Sequence, residues 1–338
     1  MVQSIKTLYS IETKSLSKSF GSVIAVDNIS FTVNSGEIFG FLGPNGAGKS
    51  TTMMILATLL KPTSGNALVS GYDVTTHPTK VRQNIGYVQQ ETTVDEYLTG
   101  RENLILQARL NHIPKDQINK RIETILELIE LSDKQNDPVV TYSGGMRKRL
   151  DIAGGLLHYP KVLFLDEPTV GLDIQTRRKI WEYVKKLHSE FEMTIFLTTH
   201  YMEEADQLCD RIGIIDHGKI QVIDSPQNMK NSMGNEVLTL YVPKNDSRKS
   251  LISKLKQLTD ISKINEDEDR LTLFVSKGAD TITEIFQISS ALDVKINSLS
   301  LKQPTLDDVF ISYTGHEMRD DDAFNRRREH VKMKRLRA

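Results

Sequence analysis

An eight-residue glycine-rich segment, Gly43-Pro-Asn-Gly-Ala-Gly-Lys-Ser50, constrains the fold of this chain more than any other part of its sequence. It matches the pattern G-x-x-x-x-G-K-[ST], in which backbone N–H groups turn inward around phosphates. The apolar segment Glu37–Leu42 before it predicts a strand, and a helix-compatible segment begins near Lys49. That helix would add the positive end of its dipole. This strand–loop–helix order predicts a phosphate-binding loop in an α/β fold.

Each residue type in this loop suits a nucleotide phosphate. The ammonium of Lys49 would bridge the β- and γ-phosphates, and the hydroxyl of Ser50 would bind Mg²⁺. A purely structural glycine-rich turn does not require lysine followed by serine, so the pattern favours nucleotide binding. The predicted nucleotide-binding residues of the loop are Gly43, Pro44, Asn45, Gly46, Ala47, Gly48, Lys49, Ser50 and Thr51.

Two acidic residues follow a second apolar strand. The run Val162–Asp166 predicts a buried strand, and Glu167 comes directly after it. Ligands of open α/β sheets gather at the carboxyl ends of the strands. Asp166 suits the coordination sphere of Mg²⁺ through a water molecule, and Glu167 can polarise the attacking water as a general base. An exposed acidic turn is the alternative, and the phosphate-binding pattern argues against it.

Polar side chains also end two further predicted strands. His200 follows the strand Thr194–Thr198, where it would donate to the γ-phosphate and hold the attacking water. Gln90 follows the short strand Ile85–Val88, and its amide can reach both Mg²⁺ and water. Because Gln89 is its neighbour, the sequence leaves open which glutamine does so. The predicted catalytic residues are Glu167, His200 and Gln90, and the predicted Mg²⁺ ligands are Ser50, Gln90 and Asp166.

A second glycine element, Ser143-Gly144-Gly145, precedes the helix-compatible segment Met146–Leu157. Glycines followed by a helix N-terminus again make an anion site. A protein with a phosphate-binding loop needs no second such site for its own nucleotide. This element therefore indicates which kind of nucleotide-binding protein the chain is.

Phe20, between Ser19 and Gly21, is predicted to stack on the nucleotide base. Stacking tolerates every base, so this residue does not select ATP over GTP. A packed core aromatic is the alternative interpretation.

The composition excludes several classes of protein. Forty-three Lys+Arg against 44 Asp+Glu give a formal charge of -1, so no global basic field points to nucleic acid. The single cysteine, Cys209, excludes an internal disulfide, suits a reducing cytoplasm and is predicted to be a buried thiol. The eight histidines show no metal-ligand spacing. With no apolar run of about 18 residues and no signal-peptide core, we expect a protein that is soluble by itself.

Strand and helix patterns divide the chain into three parts. Residues 1–230 alternate apolar strands and amphipathic helices, which predicts a mainly parallel sheet with a helical subdomain over about 91–157. Residues 231–315 follow the order β-α-β-β-α-β, which predicts a small ferredoxin-like α+β domain. Residues 316–338 form a highly charged tail. We interpret it as solvated, with contact to anionic lipid headgroups as the sharper alternative.

The order of these motifs resembles that of ABC-type ATPases, over residues 12–315. In that family they are the aromatic loop, Walker A, Q-loop, signature, Walker B, D-loop and switch histidine. Tyr142 and Met146 depart from the usual leucine and glutamine of the signature. The segment Pro304–Phe310 and the β-α-β-β-α-β unit resemble ATP-binding subunits of daunorubicin-resistance drug exporters. The matching elements are Phe20, Gly43–Ser50, Gln90, Tyr142–Met146, Leu163–Glu167, Gly171-Leu-Asp173 and His200.

The resemblance implies an ATPase that works as a pair and drives a membrane protein. Two ATPase domains would meet head to tail, with ATP held by Lys49 of one and Ser143 of the other. Intact motifs favour a homodimer, with Asp173 in the D-loop. A separate transmembrane permease would contact the surface around Gln90–Leu98 and hold the chain at the cytoplasmic face of the cell membrane. The cofactors would be ATP and Mg²⁺, with no nucleic acid as a partner.

Two other functions fit parts of the sequence. A soluble ABC-type ATPase acting on ribosomes or DNA would share the same motifs, although we find one phosphate-binding loop and no long coiled coil. A regulatory subunit whose C-terminal domain senses a ligand is the third hypothesis.

Overall fold

The computed structural model describes residues 8–233, 236–243, 246–267 and 269–316. These residues form two compact units, the first ending at Ile223 and the second beginning at Asp224. Residues 317–338, and with them the predicted lipid contact of the tail, lie outside the described residues. Across the described ranges, no helix combines the length and the apolar character needed to cross a membrane.

Strands and helices alternate through the first unit. Its strands are β1 (Tyr9–Phe20), β2 (Val23–Asn34), β3 (Ile38–Leu42), β4 (Ser64–Val69), β5 (Tyr72–Asp73), β6 (Ile85–Val88), β7 (Val162–Asp166), β8 (Thr194–Thr199), β9 (Arg211–Asp216) and β10 (Lys219–Asp224). Its helices are α1 (Lys49–Leu56), α2 (Pro78–Arg82), α3 (Gly100–Leu110), α4 (Lys115–Leu128), α5 (Gly144–Leu156), α6 (Ile174–Phe191) and α7 (Met202–Leu208). The predicted strands Glu37–Leu42, Val162–Asp166 and Thr194–Thr198 match β3, β7 and β8 to within one residue at each end.

A six-stranded sheet in the order β10-β9-β3-β8-β7-β6 forms the centre of the first unit. The pairs β9–β3, β3–β8, β8–β7 and β7–β6 are parallel. Strands β3 and β7 are buried along their whole lengths, which explains their continuous apolar sequences. Phe39, Phe41 and Phe196 pack together with ring centroids 5.2 to 5.7 Å apart. This close-packed core fixes the strand ends that carry the polar residues.

A second sheet, in the order β2-β1-β4-β5, pairs its strands antiparallel. Our prediction of a mainly parallel sheet did not include it. The pairing of β1 with β2 contains several register shifts, and Ser15 and Asn28 adopt positive φ angles of 50° and 53°. These irregularities interrupt the alternation of buried and exposed residues by which a half-buried strand is recognised in a sequence.

Helices α3, α4 and α5 form the predicted helical region. Thr99 begins α3 with a capping box, and α4 buries an apolar stripe that includes Ile122 and Ile125. Residues 91–98 contain no helix, so the helical part begins at Gly100, later than predicted. α5 begins at Gly144, two residues earlier than the predicted segment.

The second unit follows the predicted order β-α-β-β-α-β, which confirms its α+β class. Its sheet has the order β12-β13-β11-β14 with antiparallel pairs. Leu240, Leu251, Leu273 and Ile285 belong to its buried core. The last strand of this unit covers Ser298–Lys302. The elements are α8 (Pro226–Ser232), β11 (Glu236–Tyr241), α9 (Asp246–Leu255), β12 (Ile261–Glu266), β13 (Arg270–Val275), α10 (Gly278–Ala291), β14 (Ser298–Lys302) and α11 (Leu306–Thr314).

Candidate active site

Four of the predicted site segments lie at one edge of the central sheet. The loop Gly43–Ser50 follows β3, His200 follows β8, Glu167 follows β7, and Gln90 lies two residues beyond β6. These four strands are adjacent and parallel, so their carboxyl ends meet. The sheet therefore brings together residues that are far apart in the sequence.

The phosphate-binding loop depends on glycines for two separate reasons. Gly46 and Gly48 have φ angles of +83° and +105°, a region that side chains rarely adopt. A Cβ at Gly48 would also lie 2.4 Å from the carbonyl oxygen of Ala25, and one at Gly43 would lie 2.2 Å from that of Ile215. The backbone is thus packed too closely for larger residues.

Lys49 follows Gly48 of this loop at the first position of α1, and it is 4% exposed. Its Nζ donates to the carbonyl oxygens of Gly43 at 2.7 Å and Pro44 at 3.1 Å. It also forms an ion pair with Glu167, at 3.2 Å from Oε1. Burial lowers the pKa of Lys49, although the nearby Glu167 carboxylate opposes this. The ammonium is therefore held by neutral carbonyls and one carboxylate.

The carboxylate of Glu167 lies between two cationic or donor groups. Lys49 contacts Oε1, and Nδ1 of His200 lies 3.3 Å from Oε2. Burial raises the pKa of Glu167, but the contacts with His200 and Lys49 outweigh it, and the net pKa lies below the ordinary value. The side chain is consequently ionised at neutral pH and can accept a proton.

Ser50 and Asp166 place two hard oxygen donors side by side. The Ser50 hydroxyl donates to Oδ1 of Asp166 at 3.0 Å, and the Thr198 hydroxyl donates to the same oxygen at 2.5 Å. Hydroxyl and carboxylate oxygens are ligands that Mg²⁺ prefers. The donor set therefore fits this cation.

Gln90 is exposed, and its backbone carbonyl accepts a hydrogen bond from Lys148 at 3.2 Å.

Ser143 is the N-cap of α5, and its hydroxyl oxygen accepts from the N–H of Met146 at 3.3 Å. Ser143 and Gly144 are exposed, as a surface that binds a phosphate of another domain would need to be. Gly145 is buried against α6, where a Cβ would lie 2.5 Å from Cγ2 of Thr176. The two glycines thus differ in role: the first lies on the surface and the second allows two helices to approach.

Tyr142, one of the two departures from the usual signature, is a buried packing residue. It is 4% exposed, and its hydroxyl donates to the carbonyl oxygen of Lys134 at 2.5 Å. A Cβ at Gly100 would lie 2.4 Å from that hydroxyl. The tyrosine therefore requires a glycine at the start of α3, a dependence that we did not predict.

Phe20 presents an exposed ring, whereas Asp173 is the N-cap of α6. Phe20 is 49% exposed, with Nζ of Lys18 5.0 Å from its ring centroid, so the alternative of a packed core aromatic is wrong. Asp173 caps α6 by accepting from the N–H of Thr176 at 3.0 Å and from its hydroxyl at 2.6 Å. These hydrogen bonds from Thr176 hold the pKa of Asp173 below its ordinary value. Cys209 is buried, as predicted.

The fold and this sheet edge together define a P-loop ATPase. A family model described as "ABC transporter" matches residues 26–170. A second, described as "ATP-binding protein DrrA1-3-like, C-terminal domain", matches residues 225–314.

Whole-chain comparisons are consistent with both matches. The daunorubicin/doxorubicin resistance ATP-binding protein DrrA of Streptomyces peucetius is 40% identical over 92% of this chain and 94% of its own. The linearmycin resistance ATP-binding protein LnrL of Bacillus subtilis (strain 168) is 36% identical over 92% of this chain and 100% of its own. The chain belongs to the ATP-binding subunits of ABC transporters, as its motif order predicted, and is an ATPase.

Solved structures confirm the predicted fold class. CbiO1 from Clostridium perfringens, part of the ABC transporter complex cbiONQ, is 25% identical with a TM-score of 0.62, covering 74% of this chain and 96% of its own. The ATP-binding cassette MJ0796, in a dimeric post-hydrolysis state bound to ADP and Pi, is 28% identical with a TM-score of 0.57. That match covers 64% of this chain and 98% of the cassette.

Proposed function

We propose that this chain hydrolyses ATP to power the export of a drug-like, lipid or other substrate through a separate membrane permease. The observation that carries the proposal is the position of the Glu167 carboxylate, between Lys49 and His200 and beside the Ser50–Asp166 pair. The names of the relatives, which concern resistance to daunorubicin, doxorubicin and linearmycin, support export as the direction.

In this proposal the sheet edge binds ATP and Mg²⁺. The backbone from Gly43 to Thr51 surrounds the phosphates, with Lys49 contacting the β- and γ-phosphates, and the exposed ring of Phe20 stacks on the base. Ser50, Asp166 and Gln90 would hold Mg²⁺, partly through water. The cation, when bound, would neutralise charge on the phosphate oxygens.

Glu167 acts as the general base of this reaction. Its carboxylate would accept a proton from water while His200 holds that water and the γ-phosphate in place. The γ-phosphate competes with Glu167 for Lys49, so ATP binding would release the carboxylate from its ion pair. The exchange would make the base available when its substrate is present.

The proposed working unit is a head-to-tail homodimer at the cytoplasmic face of the cell membrane. Ser143 and Gly144 of one copy would contact ATP held by the other, with Asp173 of the D-loop nearby. The dimeric MJ0796 cassettes support this arrangement. The permease would contact the surface around Gln90–Leu98, where Tyr97 is 93% exposed.

The substitution Glu167→Gln tests this function. We expect the ATPase rate to fall about 10²- to 10⁴-fold because the general base is lost. ATP binding should persist, and dimers should accumulate with Mg²⁺-ATP. Purified from detergent-solubilised membranes in this locked state, the variant should carry a stoichiometric membrane-spanning protein.

Glu190→Gln removes an exposed carboxylate on α6 and serves as the matched control, with hydrolysis at the parental rate. A Glu167→Gln variant that hydrolyses ATP as fast as the parent would exclude Glu167 as the base. Co-purification with ribosomes in place of a membrane protein would favour the soluble ATPase instead.

A further inference from the structure

Lys148, in the second turn of α5, is a buried lysine that the reaction above does not use. It is 4% exposed, and its Nζ donates to the carbonyl oxygens of Gln89 at 2.6 Å and Gln90 at 3.2 Å. A buried ammonium is costly unless hydrogen bonds replace its hydration. This site meets that need with the backbone of the segment that carries Gln90.

Asp151, one turn further along the same face of α5, holds the other end of that segment. Its Oδ1 accepts from the hydroxyl of Thr93 at 2.7 Å and from the Thr93 N–H at 3.2 Å. Its Oδ2 lies 3.9 Å from Nζ of Lys148, too far for a hydrogen bond but close enough to compensate charge. Asp151 is itself buried, at 7% exposure.

The two residues attach residues 89–93 to α5 at two points. Two attachments fix the orientation of a short segment, whereas one would leave it free to rotate. A third contact, between Arg147 and Glu96, is partly exposed, and such ion pairs contribute little. Lys148 and Asp151, whose side chains are buried, therefore hold residues 89–93 against α5.

We infer that Lys148 and Asp151 are positioning residues that hold Gln90 in register with the Ser143 end of α5. We call these two residues the Lys148–Asp151 clamp. The inference rests on the proposed function, since it acts through Gln90. Because residues 89–93 are attached to α5 at two points, a shift of α5 would carry Gln90 with it. The ATP site that uses Gln90 is thereby coupled, within one chain, to the surface that contacts the other ATP.

Paired substitutions test the clamp. Lys148→Met keeps the length of the side chain and removes its donors, whereas Lys148→Arg keeps donors. Thr93→Val removes one hydroxyl, and Thr93→Ser retains it. We expect kcat for ATP hydrolysis to fall about 10- to 10²-fold in the Met and Val variants, as small displacements of reacting groups commonly do. The KM for ATP should change less than about 3-fold, because the Gly43–Thr51 loop is untouched.

The discriminating measurement is a double-mutant cycle with Gln90→Ala. If the clamp acts through Gln90, Lys148→Met should cause no further loss in the Gln90→Ala background. The Arg and Ser variants should recover most of the activity. Equal losses from Lys148→Met in both backgrounds, or parental kcat in the Met and Val variants, would overturn the inference.

The Thr93 pair keeps the test valid if Lys148→Met fails to fold, since Thr93 is exposed. Glu167→Gln separates the two proposals. If it abolishes hydrolysis while Thr93→Val and Lys148→Met do not lower kcat, the clamp fails and the proposed function stands. If Glu167→Gln leaves hydrolysis intact, Glu167 is not the general base, and the clamp is then judged by Lys148→Met and Thr93→Val alone.

Discussion

Glu167 adopts a backbone conformation that is unfavourable for its side chain. Its φ angle of 46° lies in the left-handed region, which costs a non-glycine residue on the order of 1–3 kcal/mol. Its N–H donates to the Thr198 hydroxyl at 3.0 Å, and the same hydroxyl donates to Asp166. One threonine thus orients both acidic residues. Strain of this kind commonly persists where it positions a reacting group.

Glu204, on α7, is a fully buried carboxyl group behind the site. Its Oε1 accepts from the Thr169 hydroxyl at 2.7 Å and from Nε1 of Trp181 at 2.9 Å. Burial raises the pKa of Glu204 above its ordinary value, although hydrogen bonds from Thr199, Thr169 and Trp181 oppose this. The hydrogen bond from Thr169 to Glu204 thus links the segment after Glu167 to α7, the helix after His200.

Glu204→Gln should change how the free energy of unfolding depends on pH. Because the pKa is raised in the folded protein, the folded state binds more protons than the unfolded state between about pH 4.3, the unfolded glutamate value, and the folded pKa. This contribution to stability is fully present below that pH and is lost as the pH rises through the folded pKa. Urea unfolding from pH 4 to 8 should show the variant gaining stability relative to the parent as pH rises.

Glu190→Gln again controls for the loss of one carboxylate, and we expect no such trend. A stability difference between Glu204→Gln and the parent that is constant from pH 4 to 8 would contradict the assignment of a raised pKa.

Residue types at the strand ends could be predicted from the sequence, but their supporting contacts could not. Each apolar run in this part of the sequence predicts a buried strand, and such runs precede Lys49, Glu167 and His200. Thr198 and Lys148 carry no such signal, because a threonine in a strand and a lysine in a helix are ordinary there. Their partners lie 32 and 58 or more residues away, so only the folded chain shows the contacts.

At the scale of elements, the start of α3 and the turn before α5 depend on each other. Gly100 is the first residue of α3, and Tyr142 lies just before the cap of α5. The tyrosine hydroxyl occupies the space that a Cβ at Gly100 would need. A tyrosine at position 142 therefore requires a glycine at position 100, more than forty positions away in the sequence.

Gly100→Ala should destabilise the protein by about 1–3 kcal/mol, the usual cost of overpacking. The cost should be smaller in a Tyr142→Phe background, because removing the hydroxyl relieves the contact. Chemical denaturation of the parent, the two single variants and the double variant gives the interaction free energy. Additive changes would exclude the proposed steric link.

Elements differ in how well the sequence predicts them, and burial explains the difference. Strands β3 and β7 are buried on both faces and produce continuous apolar runs. Strand β1 is longer but bulged, so neither a run nor a clean alternation marks it, and β2 alternates only over residues 29–34. The order of strands and helices in the second unit was predicted because these elements are short, regular and separated by turns.

At the scale of the whole molecule, Gly144 offers a direct test of pairing between copies. A Cβ there would lie 3.5 Å from Cδ2 of Leu172, which is an ordinary contact, and the residue is exposed. Gly144→Asp would place a negative charge at the N-terminus of α5, where a carboxylate favours the helix. It would repel the γ-phosphate of ATP held by a second copy while leaving the chain's own phosphate loop intact.

We expect Gly144→Asp to abolish the ATP-dependent dimer that Glu167→Gln accumulates, with ATP still bound by each monomer. Light scattering of the double variant with Mg²⁺-ATP measures the first outcome, and nucleotide titration measures the second. Gly144→Asn has the same size without the charge and should dimerise more strongly than the aspartate variant. Dimers of undiminished strength in Gly144→Asp would exclude this surface from the ATP interface.

The cap bond of Ser143 has a consequence for what the signature surface can recognise. Its hydroxyl oxygen accepts from the N–H of Met146, which leaves the hydroxyl hydrogen free to donate to a ligand. The side chain is therefore preorganised as a donor before any ligand arrives, and little rotational entropy remains to be lost. The cap bond uses one of the two acceptor positions of the hydroxyl oxygen, so the hydroxyl can still donate to the anionic end of a triphosphate.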